Sequence, residues 1–286
     1  MKKLALCVGI NKYGHGNDLS ECVPDAKGWS VAAVDTARTL TGQSFEVVTL
    51  VDQQATVKAV MAELARMNSV AKKGDSLLFT FSGHGTQVPD ENGDELDGMD
   101  EAICLLGDKG DIELVYDDQL WKLYRSKPSG VKWVMISDSC HSGTVARKIG
   151  APILANNDPA QRRRHLPWQL LMDIYGEIVF SRGETIDRSA PRLMAEEGWA
   201  EKDAAGARVP WPVLLSSGCQ DNEYSYDAPK LGHGAYTYHA LEALKQMKKG
   251  STWNEFFLEI RKHLPSREYP QTPRLMGSYL STPVLG

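Results

Sequence analysis

Five short apolar segments recur along the chain, and each ends at small or polar residues. They cover residues 4–10, 45–50, 76–81, 131–137 and 213–217. Their apolar positions run nearly continuously instead of alternating with polar ones, which is typical of strands that are buried on both faces. The pattern therefore predicts five strands of a sheet that other elements cover on both sides.

Segments with helical spacing lie between these predicted strands. Within residues 56–70, apolar side chains recur every three or four positions, as expected for one face of a helix. Further helices are predicted over residues 26–40 and from about residues 235 and 252. Strands that alternate with helices favour a largely parallel sheet, because parallel neighbours need a crossover connection. We therefore expect a three-layer α/β fold with helices on both faces of the sheet, built as one compact domain.

The periodicity breaks down between about residues 150 and 208. Prolines, an Asn-Asn-Asp turn and arginine-rich pieces interrupt it, apart from one strand-like piece at residues 177–180. A long irregular segment within a compact domain is usually functional or mobile. This segment also contains the candidate basic patch of the chain, formed by Arg162, Arg163 and Arg164.

Composition narrows the class of protein without identifying it. The 286 residues are 42% hydrophobic and 24% charged, and the net charge of −5 gives no overall basic field for nucleic acid. The first apolar run stops at Asn11 and Lys12 without a cleavage signal, and no run has the length of a membrane helix. Five cysteines without paired spacing favour a reducing compartment. We therefore expect a cytoplasmic monomer that binds neither nucleic acid nor membrane.

Two motifs at the ends of predicted strands carry the candidate chemistry. Residues 82–85 (Ser-Gly-His-Gly) follow the third strand, and residues 138–143 (Asp-Ser-Cys-His-Ser-Gly) follow the fourth. The carboxyl ends of parallel strands meet at one edge of an open α/β sheet, so His84 and Cys140 are expected to face each other there. A thiol needs a neighbouring base to become a strong nucleophile, and a histidine can serve first as that base and then as the acid for the leaving amine.

Glycines beside both residues indicate a place where a substrate carbonyl can approach the main chain. We predict that the backbone amides of Gly85 and Cys140 form an oxyanion hole. The alternative is that His84 merely ends a strand and that Cys140 is one more buried thiol. Cys219 also follows a predicted strand and is the rival nucleophile. It lacks a preceding aspartate, although His233 is likewise flanked by glycines.

These motifs, together with the acidic loop at residues 93–101, resemble those of the caspase-like cysteine peptidases, and in particular the metacaspases and their bacterial relatives, the orthocaspases. The resemblance extends over nearly the whole chain. It implies a caspase–haemoglobinase-like fold and cysteine endopeptidase activity. It also implies a large-subunit-like region at residues 1–150, an irregular linker or processing segment at residues 151–208 and a small-subunit-like region at residues 209–286.

The resemblance further implies which residues bind the substrate. Metacaspases build the S1 pocket, which receives the P1 side chain before the cleaved bond, from positions that match Asp138, Ser82, Cys22 and Asp25. A carboxylate there selects arginine or lysine at P1, and arginine is favoured because its guanidinium binds carboxylates in bidentate geometry. The alternative for Asp25 is an N-cap of the helix predicted at residues 26–40.

A calcium site is another implication of the resemblance. Calcium-responsive metacaspases use four aspartates, and Asp97 or Asp100, Asp117 and Asp118 correspond to three of them. Arg147 stands at the position of the fourth, where a cation should weaken or abolish the site. We therefore expect that no cofactor is required and that the arginine argues against calcium activation. The alternative interpretation of the acidic loop is a solvated turn.

Three functions remain open from the sequence. The first is a cysteine endopeptidase whose partners are proteins or peptides with a basic P1 residue, and which cleaves its own chain near residues 162–164 unless these arginines are simply solvated loop charges. The second is a metal-dependent hydrolase with aspartates of the acidic loop and His84 or His141 as ligands. The third is a non-catalytic module that binds peptides in the same groove.

Overall fold

The computed structural model describes residues 1–89, 99–140, 162–175, 199–202, 208–210, 213–220 and 223–286. Four of the predicted features lie outside these ranges. They are the metal-ligand candidate Asp97, the neighbouring histidine His141, Arg147 at the fourth calcium position, and the strand-like piece at residues 177–180.

The described residues form a central six-stranded sheet with the strand order β14-β11-β7-β3-β1-β2. Its strands are β1 (Lys3–Gly9), β2 (Glu46–Val51), β3 (Ser76–Ser82), β7 (Lys132–Asp138), β11 (Leu214–Ser217) and β14 (Arg274–Gly277). The first five are parallel to one another, and β14 is antiparallel to β11. All five predicted strands are confirmed to within one residue at each end. β14 was not predicted, because its half-buried positions give an edge strand no continuous apolar run.

Helices cover both faces of this sheet, as predicted. They are α1 (Cys22–Val31), α2 (Ala37–Thr41), α3 (Val57–Val70), α4 (Asp117–Arg125), α5 (Trp168–Tyr175), α6 (Ala235–Gln246) and α7 (Trp253–Ile260). One apolar cluster joins α3, α4 and α5 to one face of the sheet, and a second joins α1, α2, α6 and α7 to the other. The α/β class and the three-layer arrangement are therefore confirmed.

The ends of two helices differ in how well the sequence predicted them. The hydroxyl of Thr56 accepts a hydrogen bond from the Ala59 amide at 3.1 Å and so caps α3, whose predicted extent is confirmed. By contrast, α1 begins at Cys22, four residues before the predicted start, and passes through a π-helical turn at Ala32–Thr36 into α2. Asp25 consequently lies in the first turn of α1 and not at its N-cap, so the N-cap alternative for Asp25 is wrong.

Three small sheets lie beside the central sheet. The largest is antiparallel and consists of β4 (Gly85–Pro89), β5 (Met99–Leu106) and β6 (Ile112–Tyr116). A second contains β8 (Arg162–Arg163), β12 (Tyr226–Ala228) and β13 (His233–Gly234). The third pairs β9 (Trp199–Lys202) with β10 (Arg208–Pro210). The sequence did not predict these strands, because most are short and β4 and β5 bury polar side chains such as Gln87 and Glu101.

No helix within the described ranges combines the length and the apolar character needed to cross a membrane.

Gly9, the last residue of β1, sets how closely α1 approaches the sheet. A Cβ atom at this position would lie 2.1 Å from the carbonyl oxygen of Cys22 and 2.9 Å from the Cβ of Ala26. Because the nearest obstacle is backbone, the start of α1 would have to move away from the sheet. We expect Gly9→Ala to lower the free energy of unfolding by about 1–3 kcal/mol, measured by denaturant or thermal unfolding. Lys58→Ala, at an exposed position of α3, should change it by less than about 0.5 kcal/mol.

Candidate active site

The two strand-end motifs meet at one edge of the central sheet, as the sequence predicted. β3 and β7 are parallel neighbours in a register that places Ser82 opposite Asp138. His84 and Cys140 each follow two residues later. A Cβ atom on Gly85 would lie 2.0 Å from the carbonyl oxygen of Cys140, so the loops after the two strands are in direct contact and this glycine permits it.

His84 is buried and held in one orientation. Its Nε2 lies 2.8 Å from the carbonyl oxygen of Asn17, and its amide donates to the hydroxyl of Tyr13, whose ring packs against the imidazole. Because a carbonyl only accepts, the proton belongs on Nε2. Nδ1 is then the basic nitrogen, and it has no hydrogen-bond partner among the described residues. No motif or periodicity marked Asn17, which comes close to His84 only in the folded chain.

The pKa of His84 is shifted in the direction that a base at neutral pH needs. Burial lowers it from 6.5 to about 4, and the backbone carbonyls of Asn17 and Arg164 oppose this shift. The ring is therefore neutral at pH 7.

The thiol of Cys140 is also buried. Its Sγ accepts a hydrogen bond from the amide of Ser225 at 2.7 Å and donates to the carbonyl of the same residue at 3.2 Å. In the part of the chain that the structure describes, no hydrogen bond joins this sulfur to the His84 ring. Proton transfer between them would require the thiol to turn away from the Ser225 carbonyl.

One carbonyl oxygen lies between the two strand ends. The backbone oxygen of Arg164 accepts hydrogen bonds from the amides of Gly85 at 3.0 Å and Cys140 at 3.2 Å. These two amides are the pair that the sequence predicted as an oxyanion hole. They converge on a single oxygen, which is the geometry that such a site requires.

The side chain of Arg164 enters a pocket of three carboxylates. Its guanidinium lies 2.7 Å from Asp25, 3.1 Å from Asp138 and 3.1 Å from Asp227, and all four side chains are at most 1% exposed. Burial alone would lower the pKa of Arg164, but the neighbouring carboxylates raise it well above its usual value. The predicted pocket residues Asp25 and Asp138 therefore surround an arginine, and Arg164 is not a solvated loop charge.

The carboxylates of Asp25 and Asp138 are held by further hydrogen bonds. Asp138 accepts from the hydroxyl of Ser225 at 2.5 Å and from the amide and hydroxyl of Thr237 at 3.0 and 2.7 Å. Asp25 accepts from the amide of Gly234, and its other close partner is Nδ1 of His233, each at 3.0 Å. Burial raises the pKa of the Asp138 carboxyl, and the charge of Arg164 opposes that rise. The positive charge of Arg164 thus favours the ionised form of the Asp138 carboxyl, which burial disfavours.

Asp227 is the pocket residue that sequence analysis missed. Its carboxylate accepts from the amide and hydroxyl of Ser20, both at 2.8 Å, and from the amide of Glu21 at 3.1 Å. It lies on β12, a strand of three residues, so no periodic pattern marked it. Gly234, which forms part of the pocket wall, was also missed. A Cβ atom at this position would lie 2.5 Å from both the Arg164 guanidinium and Asp138.

The other two predicted pocket residues, Cys22 and Ser82, are buried at the same edge. Burial raises the pKa of Cys22 well above its usual value, and the charge of Arg164 opposes the rise. Ser82 is 2% exposed and is the backbone neighbour of Asp138 in the sheet. Among the described contacts, no hydrogen bond joins its hydroxyl to Arg164.

Among the described residues, no histidine is hydrogen-bonded to the thiol of the rival nucleophile, Cys219. The nearby histidine motif places His233 against Asp25, and the thiol of Cys219 points to the carbonyl of Ser139 at 3.6 Å. A hydrogen bond with Cys140 and burial raise the pKa of Cys219 well above its ordinary value. A protonated thiol is a poor nucleophile, so this environment disfavours Cys219 as the nucleophile.

The calcium candidates that the structure describes do not form a cluster. Asp100 lies in β5, whereas Asp117 and Asp118 begin α4. Within the described ranges, no three His, Cys, Asp or Glu side chains come together as a metal site. Because Asp97 and Arg147 lie outside those ranges, the expectation about calcium stays a prediction.

The chain is similar to known proteins over most of its length. The profile of the metacaspase peptidase C14 domain matches residues 3–148, half of the chain. Metacaspase-1 of Cryptococcus neoformans var. neoformans serotype D is 30% identical over 294 aligned residues, which cover 97% of this chain and 63% of that protein. Metacaspase-1 of Coccidioides immitis is 28% identical, with 97% of this chain and 62% of that protein covered. The chain thus spans less than two thirds of the length of these relatives.

Two solved structures share the architecture. A protein from Geobacter sulfurreducens superposes with a TM-score of 0.70 at 27% identity, over 99% of this chain and 100% of that chain. Caspase-1 from Spodoptera frugiperda superposes with a TM-score of 0.57 at 12% identity, over 100% of this chain and 90% of that chain, which is a likeness of fold alone. The profile match over residues 3–148 shows that the chain belongs to the metacaspase family of C14 peptidases.

Proposed function

We propose that the chain is a cysteine endopeptidase that cleaves peptide bonds after arginine, and that the bond between Arg164 and His165 is one of its own substrates. The observation that carries the proposal is that Arg164 occupies both halves of the site at once. Its guanidinium lies among three buried carboxylates while its carbonyl oxygen accepts from the amides of Gly85 and Cys140. A P1 residue must make both sets of contacts for the bond after it to reach the nucleophile.

In the proposed reaction, the Cys140 thiol gives its proton to Nδ1 of His84, and the sulfur attacks the carbonyl carbon of the P1 residue. The Gly85 and Cys140 amides hold the oxygen as negative charge develops, and one such donor is worth roughly 10²–10³-fold in kcat. His84 then protonates the leaving amine. Water hydrolyses the thioester of the acyl-enzyme, which frees the carboxyl product and restores the Cys140 thiol. The Asn17 carbonyl acts as a positioning group, because it keeps the proton on Nε2 and leaves Nδ1 free to accept.

The same pocket explains a preference for arginine over lysine. The two terminal nitrogens of Arg164 reach three carboxylates, which the single ammonium group of a lysine cannot do with the same geometry. An uncharged P1 side chain would leave all three carboxylates unpaired. Breaking a buried ion pair costs about 3–5 kcal/mol, which is about 100-fold or more in kcat/KM.

Two other functions remain candidates for experiment. A metal-dependent hydrolase would lose activity with a chelator, and a peptide-binding module would show no turnover. In the proposed mechanism no cofactor takes part. A thiol alkylating reagent should therefore abolish activity, whereas a chelator should not. Added calcium tests the expectation that calcium does not activate the enzyme through the acidic loop.

The proposed cleavage would fall inside the irregular segment at residues 151–208. Strand β11, from the proposed small-subunit region, pairs in parallel with β7 from the proposed large-subunit region. The two products would therefore remain joined through the central sheet. The division of the chain into a large-subunit-like and a small-subunit-like region is part of this proposal.

Self-cleavage is the first prediction. Purified chain should convert to two fragments, the second beginning at His165, as read by mass spectrometry and N-terminal sequencing. Arg164→Gln should remove this cut because the neutral side chain leaves the carboxylates unpaired, and Arg164→Lys should slow it. Arg267→Gln, at an exposed position outside the site, is the matched control and should be cut normally.

Cys140→Ala distinguishes this reaction from contamination. The proposal requires that the variant stay intact under the same conditions. Fragments that persist in Cys140→Ala would show that another protease produces them.

The second prediction concerns Asp227, whose role the structure alone suggested. Asp227→Asn should lower kcat/KM on a P1-arginine peptide by about 100-fold, because it removes one carboxylate from the guanidinium. The rate at which the variant cleaves fluorogenic P1-arginine peptide amides gives this kcat/KM. Asp35→Asn, which breaks only an exposed ion pair with Arg38, is the control and should leave kcat/KM unchanged. An unaltered rate in a folded Asp227→Asn protein would remove Asp227 from the S1 pocket.

The third prediction concerns pH. His84 must be neutral to accept a proton, and its pKa of about 4 in the buried site keeps it neutral as the pH falls through 6.5. The first-order rate of self-cleavage should therefore persist below pH 6.5 and be lost only as the pH approaches about 4. This rate is measured from samples stopped at successive times, and circular dichroism confirms at each pH that the protein is folded. An acid midpoint at or above 6.5 would contradict His84 as the buried base.

A further inference from the structure

The segment that carries Arg164 binds the rest of the chain as an added β-strand. Arg163 pairs with Tyr226 and Arg162 with Asp227 in the antiparallel ladder between β8 and β12. The ladder continues with the amide of Arg164, which donates to the carbonyl of Ser225 at 3.0 Å. Addition of a strand to an exposed sheet edge is a common mode of peptide recognition, in which main-chain bonds fix the register and side-chain pockets give specificity.

Arg163, the residue before Arg164 on the added strand, contacts an aromatic ring. Successive side chains of a strand point to opposite faces, so Arg163 points away from the pocket that holds Arg164. Its guanidinium carbon lies 4.4 Å from the centroid of the Tyr224 ring. The ring of His165, two residues further on and on the same face, lies 5.8 Å from the Tyr224 ring. Tyr224 therefore contacts the residues on both sides of the P1 position.

The charge of Arg163 acts on two tyrosines. Burial raises the pKa of Tyr224 and of Tyr226, and in both cases the positive charge of Arg163 opposes the rise. Tyr226 is 9% exposed, whereas Tyr224 is half-buried and presents its ring to the guanidinium. The two phenols and the added strand thus enclose one side of an otherwise exposed arginine.

From these contacts we infer that Tyr224, supported by Tyr226, forms an S2 subsite for a second basic side chain, so that the enzyme favours substrates with paired arginines before the cleaved bond. The inference rests on the proposed function, since P2 has meaning only if Arg164 marks P1. Arginine is favoured over lysine at P2 because its planar guanidinium stacks on an aromatic ring. The gain expected for an exposed cation–π contact corresponds to about a 2- to 5-fold increase in kcat/KM.

Four peptides test the inference on the wild-type chain. Fluorogenic tetrapeptide amides share arginine at P1 and alanine at P3 and P4, and differ only at P2, which is arginine, lysine, citrulline or norleucine. Citrulline keeps the planar shape without the charge, and norleucine keeps neither. We expect kcat/KM to be highest with arginine, about 2- to 5-fold above norleucine, with citrulline near norleucine.

Variants then assign the preference to the tyrosine. The ratio of kcat/KM for P2 arginine to that for P2 norleucine should fall to about 1 in Tyr224→Ala and be kept in Tyr224→Phe, which retains the ring. Tyr279→Ala is the matched control, because Tyr279 is a half-buried tyrosine whose hydroxyl donates to Val131 at the opposite edge of the sheet, and its ratio should equal that of wild type.

The outcomes separate this inference from the function on which it rests. Equal cleavage of all four peptides by the wild type, or an unchanged ratio in Tyr224→Ala, would overturn the S2 assignment while leaving arginine specificity at P1 intact. Failure of the wild type to cleave any P1-arginine peptide would overturn the proposed function and this inference with it.

Discussion

The structure around the candidate site depends on one buried ion cluster. The guanidinium of Arg164 and the carboxylates of Asp25, Asp138 and Asp227 are almost wholly removed from water. Charges in such a position must be paired and hydrogen-bonded, because their desolvation costs several kcal/mol each. The carboxylates come from α1, the end of β7 and β12, so the cluster joins three distant parts of the chain at one point.

The cluster also determines how the peptide backbone lies. With its side chain fixed, Arg164 can place its carbonyl only where the loops after β3 and β7 allow, and there it accepts from two amides. The main chain then pairs with β12 before this carbonyl, and after it the Leu166 amide donates to Gly85 at 3.0 Å. Side-chain recognition and backbone placement are thus parts of one geometry. A residue that satisfies the pocket places its carbonyl oxygen on the amides of Gly85 and Cys140.

The proposed selectivity of the pocket depends on an excess of carboxylates over cations. Three carboxylates face one guanidinium, and burial raises the pKa of Asp138 while the cation opposes that rise. A neutral or acidic side chain in the same place would leave the buried carboxylates without the guanidinium charge that Arg164 supplies. Discrimination of this kind depends as much on penalties against the wrong ligand as on attraction to the right one. His84 illustrates the opposite use of burial, since the loss of water keeps its ring neutral and able to accept a proton.

The sequence by itself determined the strands of the central parallel sheet, the helix at α3 and the common sheet edge at which the loops that carry His84 and Cys140 lie. These follow from local patterns, because a continuous apolar run marks a buried strand and parallel strands end at a common edge. Family resemblance added Asp25 and Asp138. Only the tertiary structure brought in Asp227, Asn17 and Tyr224, because these residues lie in short strands or loops whose partners are far away in sequence and leave no periodic signal. The tertiary structure likewise decided that Arg164, and not Arg162 or Arg163, enters the pocket, since three consecutive arginines are equivalent until a strand register places one of them opposite the carboxylates.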